Sequence, residues 1–153
     1  MSGESGKFRD ILVPVDFTPT SEKALRFALS LLASGGEVLV LHVVDIDFVD
    51  RVEANGFAKR EEAISRLRGH AEEQLKSLID NVRAERPNVE FEPMVVVGKP
   101  FAEILRIARD LDFRMIVMGS GSRKREDIEA WLFGSTAEKV LRAATVPVVC
   151  VPG

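Results

Sequence analysis

Five short apolar runs, each parted from the next by a stretch of helical periodicity, constrain this chain more than any other feature. Residues 11–15 (Ile-Leu-Val-Pro-Val) are apolar at every position between Asp10 and Asp16. A run that short and unbroken reads as a strand covered on both faces, as in a parallel sheet. Residues 38–44, broken only by His42, and then 94–97 and 115–118 repeat the pattern. The fifth run, 146–151, contains Pro147. Proline cannot donate to a ladder, so this strand belongs at an edge or begins there.

The intervening stretches are amphipathic. Ala24, Leu25, Ala28, Leu31 and Leu32 form one stripe, with Pro19 placed for a first turn and Gly35 for a cap beyond the end. Ile64, Leu67, Ala71, Leu75, Leu78 and Val82 recur every three or four residues and describe a long helix stopped by Pro87. Phe101, Ile104, Leu105 and Ala108 mark a third helix, and Ala137, Val140 and Leu141 a fourth. Strand and helix in strict alternation predict a doubly wound, Rossmann-like α/β fold with right-handed crossovers. Residues 45–56 carry three aspartates and no clear period, and are expected to be the most mobile stretch. No repeat or linker divides the 153 residues, so one domain over 1–153 is expected, with 1–6 as a disordered tail.

Composition removes several function classes. The single cysteine, Cys150, excludes an intramolecular disulfide and a cysteine-based zinc cage, and fits a reducing compartment. A net charge of −3 argues against broad nucleic-acid binding and against a polybasic membrane surface. No apolar run approaches the ~20 residues of a membrane span. The first ten residues lack the apolar core of a secretory signal. The expectation is a cytoplasmic protein with neither nucleic acid nor membrane as partner.

In open α/β sheets, ligands bind outside the carboxyl ends of the strands, where strand order reverses. The loops after Val15, Val43, Val97 and Met118 are therefore the places to look. The last of them reads Gly119-Ser120-Gly121-Ser122, then Arg123-Lys124-Arg125, and Gly134-Ser135-Thr136 opens the final helix. Small residues let backbone N–H groups approach phosphate oxygens, and a helix N-terminus adds partial positive charge and free donors. Over residues 119–135 three basic side chains meet three acidic ones. Any preference for anions must then come from backbone geometry and the placement of residues 123–125. The same segment also reads as a surface loop followed by a serine N-cap, and spacing leaves both open.

Several pieces in fixed order resemble the universal stress protein family. They are Ile11-Leu12-Val13-Pro14-Val15-Asp16, Ser21 with Ala24-Leu25, Leu41-His42-Val43-Val44, and Val97-Gly98-Lys99-Pro100. Met118-Gly119-Ser120, the stretch from Leu132 through Gly134-Ser135-Thr136 to Val140, and Val146-Pro147-Val148-Val149 complete the set. The resemblance covers residues 7–153. It implies a five-stranded parallel sheet in order 3-2-1-4-5. It also implies a stress-response protein that binds ATP, with or without Mg, without dedicated catalysis, flavin or structural metal. Contacts would come from Pro14, Val15 and Asp16 at the first strand, Val43 at the second and Gly98 at the third. Met118 and Gly119 at the fourth strand, Gly121 and Ser122 in the loop, and Gly134, Ser135 and Thr136 at the last helix complete the implied site.

ATP-binding members carry a glycine, two residues, a second glycine, nine residues, then glycine and serine or threonine. Here Gly119 and Gly134-Ser135 match the ends, but Ser122 stands at the second glycine and eleven residues separate it from Gly134. A serine required to take positive φ is strained where glycine is not. The alternative is the family's non-binding branch, a dimeric interaction module. Asp16 would accept from ribose hydroxyls or an adenine amine, or else cap the turn into the first helix. Val43 would meet adenine through its backbone and can be a core valine at the same time. Family members also pair the last strand with its twofold mate, antiparallel, so a homodimer through residues 146–151 is implied, the alternative being a monomer whose edge is hidden by its own loop at residues 131–133.

Other arrangements fail. Thr18-Pro19-Thr20-Ser21 offers the hydroxyls of a flavodoxin-type phosphate loop. A chain with no tyrosine and one tryptophan nonetheless lacks a flavin's aromatic stack. Trp131, with Leu132 and Phe133, reads instead as an apolar flap or the lead into a helix. Gly98-Lys99-Pro100 lacks the spacing of a P-loop. His42 and His70 complete no metal set and read as structural or solvated. Cys150 reads as buried and inert.

Overall fold

The computed structural model describes residues 7–120 and 135–153 and bears out the alternation of strand and helix. β1 (Phe8–Pro14) is buried from Ile11 onward. α1 (Pro19–Leu31) starts where expected. Pro19 occupies the first turn, where a missing N–H matters least, and Thr18 caps the helix by accepting from the Ser21 N–H at 3.3 Å. The helix ends well before Gly35, contrary to expectation, with an extended Leu32 as its C-cap. Glycine is not needed there because Arg86, far away in sequence, donates to the Leu29 carbonyl and to that of Leu32 at 3.0 Å. Gly35 does have a positive φ of 81°, but near the start of β2 (Leu32–Asp45), where its N–H donates to the Asn88 carbonyl.

Within residues 45–56, where the sequence shows no clear period, α2 (Ile46–Ala54) forms. The Asp45 carboxylate caps it by accepting from the Asp47 N–H at 2.9 Å, and Val49 is completely buried. Then follow α3 (Arg60–Arg83), β3 (Glu90–Gly98), α4 (Pro100–Asp110), β4 (Ile116–Gly119), α5 (Ser135–Ala143) and β5 (Val148–Val151). Pro147 directly precedes β5, and its carbonyl accepts from the Ile116 N–H at 3.0 Å. β5 forms one edge of the sheet, and Pro147 stands at the strand's start, so both placements open to it are met.

All strands pair in parallel, in the order β3-β2-β1-β4-β5. The expected 3-2-1-4-5 sheet is what forms. One face buries Ile11, Val13, Val38 and Val40 against Leu25, Leu75 and Val82 of α1 and α3. The other buries Leu12, Leu39 and Leu41 against Ile104, Ile107 and Val140 of α4 and α5. Burial on both faces is why the strands read as apolar at every residue. Val44, Val49 and Ala63 make a smaller cluster that seats α2 on α3. Cys150 is only half-buried, a correction to the expectation, although burial still pushes its thiol pKa up. Among the described residues no helix is long and apolar enough to cross a membrane.

Candidate functional site

Strand order reverses between β1 and β4, because the chain fills one side of β1 with β2 and β3 before crossing to the other. In open sheets of this kind the reversal marks the crevice, at the carboxyl ends of the strands, where ligands bind.

The turn after β1 is tightly specified. Asp16 accepts at Oδ1 from the Thr18 N–H at 3.1 Å and from the Thr18 hydroxyl at 2.5 Å. Ser21, itself buried, accepts from the Asp16 N–H at 3.3 Å and donates its hydroxyl to the Thr18 carbonyl at 3.0 Å. Between them Phe17 takes a left-handed φ of 65°, a conformation that costs a non-glycine residue roughly 1 kcal/mol or more. These bonds hold it there. Of the two roles open to Asp16, capping the turn is the one its Oδ1 performs. Its Oδ2 has no partner among the described residues, and the side chain is exposed at the crevice. The Thr18, Thr20 and Ser21 segment is spent on its own turn: Thr18 is held by Asp16, while Thr20 and Ser21 are buried.

At the second strand the ladder dictates direction. The Val15 N–H donates to the Leu41 carbonyl at 2.8 Å, so Leu41 turns its backbone toward β1. Backbone direction alternates along a strand, and Val43, two residues on, turns the same way past the point where β1 has ended. Its side chain is buried among Leu41, Met118 and Ile104. Both readings of Val43 are thus compatible with one geometry. Pro14 and Val15 are buried at the end of β1.

Gly119 ends β4 beside Val151 of β5, and the Ser120 N–H donates to the Val151 carbonyl at 3.0 Å. A Cβ on Gly119 would stand 2.8 Å from Thr20 Cγ2 and 3.1 Å from the Thr20 backbone. Glycine here lets the first turn of α1 lie against β4. Met118 is buried on the α4 and α5 face. Gly98 ends β3, two strands away from β1, where a Cβ would stand 2.7 Å from Glu103 Cγ at the start of α4. Ser135 and Thr136 open α5. Gly121, Ser122 and Gly134 lie outside the described residues, as do residues 131–133.

Local pattern missed two members of this end of the sheet. His42 sits with its Nδ1 2.8 Å from the Val15 carbonyl and its ring tilted against Phe17, centroids 4.5 Å apart. A carbonyl only accepts, so Nδ1 carries the hydrogen. Burial lowers the imidazole pKa, opposed by that hydrogen bond and by the charge of Asp16. The available signal was one polar residue inside an otherwise apolar run. Phe17 gave none, since a left-handed phenylalanine has no sequence signature. Among the described residues no group of three His, Cys, Asp or Glu could hold a metal ion.

The sequence model of the universal stress protein family matches residues 7–152. The chain belongs to the universal stress protein family. Universal stress protein MJ0577 of Methanocaldococcus jannaschii is 30% identical over 155 residues, spanning 94% of each chain. The solved MJ0577 structure superposes with a TM-score of 0.80 at 28% identity, over 95% of this chain and 96% of that one. A universal stress protein from Archaeoglobus fulgidus, solved in complex with dAMP, gives a TM-score of 0.60 at 27% identity, covering 94% and 98%. A stress-related role holds at the level of the family.

Proposed function

We propose that this universal stress protein binds ATP or a related adenine nucleotide in the crevice at the carboxyl ends of β1, β2 and β4, without dedicated catalysis. The observation that carries the reading is the backbone of Val43, directed past the end of β1 beside the reversal of strand order. It offers one donor and one acceptor, the complement of adenine's amino and ring-nitrogen edge. The dAMP complex of the Archaeoglobus fulgidus relative supports the same class of ligand. The residues present fit the group. Val43 would take the base and the exposed Oδ2 of Asp16 a ribose hydroxyl. The amino end of α5, with Ser135 and Thr136 and the small residues Gly119, Gly121, Ser122 and Gly134, would take phosphates. Bound Mg would neutralise part of the phosphate charge.

The second reading, a dimeric interaction module without nucleotide, is favoured by Ser122 and the eleven-residue spacing to Gly134. Dimerisation is part of both. β3 exposes Glu90, Glu92 and Pro93, devices that discourage edge pairing. Val148–Val151 of β5 contains neither charge nor proline, so in this reading the twofold mate pairs there, antiparallel. The chain acts as one domain over 1–153, with 1–6 as its tail, and its single cysteine suits the cytoplasm.

Amide chemical-shift mapping during an ATP titration tests the site. Shifts should cluster at Asp16, Val43, Gly119 and Thr136 and saturate, and Gly134→Asp should abolish them. Shifts scattered over the surface, or unaffected by Gly134→Asp, would remove the assignment.

A further inference from the structure

The β1–β2 ladder stops one bond early, and a side chain stands where it stops. Pairing runs to Pro14 opposite Leu41, closed by the Val15 N–H on the Leu41 carbonyl. In a parallel ladder the next bond would run from the Val43 N–H to the Val15 carbonyl. Instead that carbonyl accepts from Nδ1 of His42 at 2.8 Å. A strand end buried without a partner for its carbonyl is costly, so β1 can leave the sheet here only if something else satisfies Val15. The imidazole does so from the face of the sheet, braced by Phe17, whose left-handed turn carries the chain away toward α1.

We infer that His42 is a positioning residue for ligand binding: by holding the Val15 carbonyl it keeps the ladder from closing and leaves the Val43 N–H open to the crevice. This rests on the nucleotide reading for what then uses the amide. Two consequences separate the role from simple packing. The Val43 amide is open in the free protein although it lies between well-paired strands. The property that matters in His42 is its donor and not its ring.

The test is amide hydrogen exchange at Val43 and ATP affinity, measured on the wild type, His42→Phe and His42→Asn. In the free wild type Val43 should exchange fast while Leu41 and Val15 are protected, and ATP should slow it. His42→Phe keeps a ring against Phe17 but has no donor. There the Val43 amide should close onto Val15 and become protected, and ATP affinity should fall about ten-fold, the value of one hydrogen bond. His42→Asn restores an N–H near the Nδ1 position and should return both readouts toward wild type. If His42→Phe does not fold, the asparagine variant decides alone: an open Val43 with near-normal affinity supports the role, a closed one overturns it. Val43 protection unchanged by His42→Phe overturns the inference whatever ATP does, as does asparagine behaving like phenylalanine. A wild type that binds no ATP, with Val43 responding as described, overturns the nucleotide reading and, with it, the ligand for which the amide is held.

Discussion

Gly119 admits no side chain without displacing the first turn of α1, because Thr20 occupies the space a Cβ would need. Gly119→Ala should therefore lower stability by about 1–3 kcal/mol. The loss is readable as a fall in Tm of roughly 2–4 °C per kcal/mol in a domain this size. ATP affinity should fall with it, since the turn that carries Asp16 is bonded to the first turn of α1 through Ser21. An unchanged Tm would mean that α1 does not pack on β4 as described. At the opposite end of the sheet Asp10, Glu37 and Glu90 stand in register on three adjacent strands. Burial and then the charges of Asp10, Glu90 and Glu92 raise the Glu37 pKa. A carboxyl whose folded pKa is raised binds its proton more tightly in the folded state. Its ionisation thus destabilises at neutral pH, and the penalty fades as pH falls through the folded value toward the unfolded ~4.3. Glu37→Gln should raise Tm at pH 7 by up to a few degrees, since opposed like charges are worth under about 1 kcal/mol. The gap to wild type should close near pH 4; melting curves at the two pH values check both.

Among the elements, α2 depends on little. Val49 is its one fully buried side chain, and Val49→Ala should cost about 2 kcal/mol of local stability. Amide exchange should then quicken across α2 and the start of α3 while the strands stay protected; loss of protection throughout would show α2 to be integral to the core. The same sparseness explains why this helix was illegible in the sequence. Its apolar residues are interleaved with Asp47, Asp50, Arg51 and Glu53, and only contact with Ala63 and Val44 reveals its buried side. The central strands β1, β2 and β4 were the most legible, because burial on both faces leaves almost no polar position to blur the run. Gly35 misled because the carbonyls it was expected to cap are satisfied by Arg86, a contact across 54 residues or more. At the site, sequence located the strand ends and Asp16. It could not show that Asp16 is partly consumed by Thr18, nor that His42 meets Val15, because both depend on how β1 leaves the sheet.

At the scale of the whole molecule the two sheet edges differ in kind. Glu90, Glu92 and Pro93 guard one, and Arg68 donates to the Val95 carbonyl at 3.1 Å beside them. The other, Val148–Val151, carries no charge or proline. Val149→Lys should convert a dimer to a folded monomer, followed by light scattering at tens of micromolar with circular dichroism unchanged. A wild type that is already monomeric there would end the edge-pairing model. Whether the strand-end crevice takes an adenine nucleotide is decided by calorimetric titration of the purified protein with Mg-ATP. Saturable heat at one nucleotide per chain is expected. A titration that stays flat up to ~1 mM ATP, weaker than about −4 kcal/mol of binding, would contradict it and leave the interaction module.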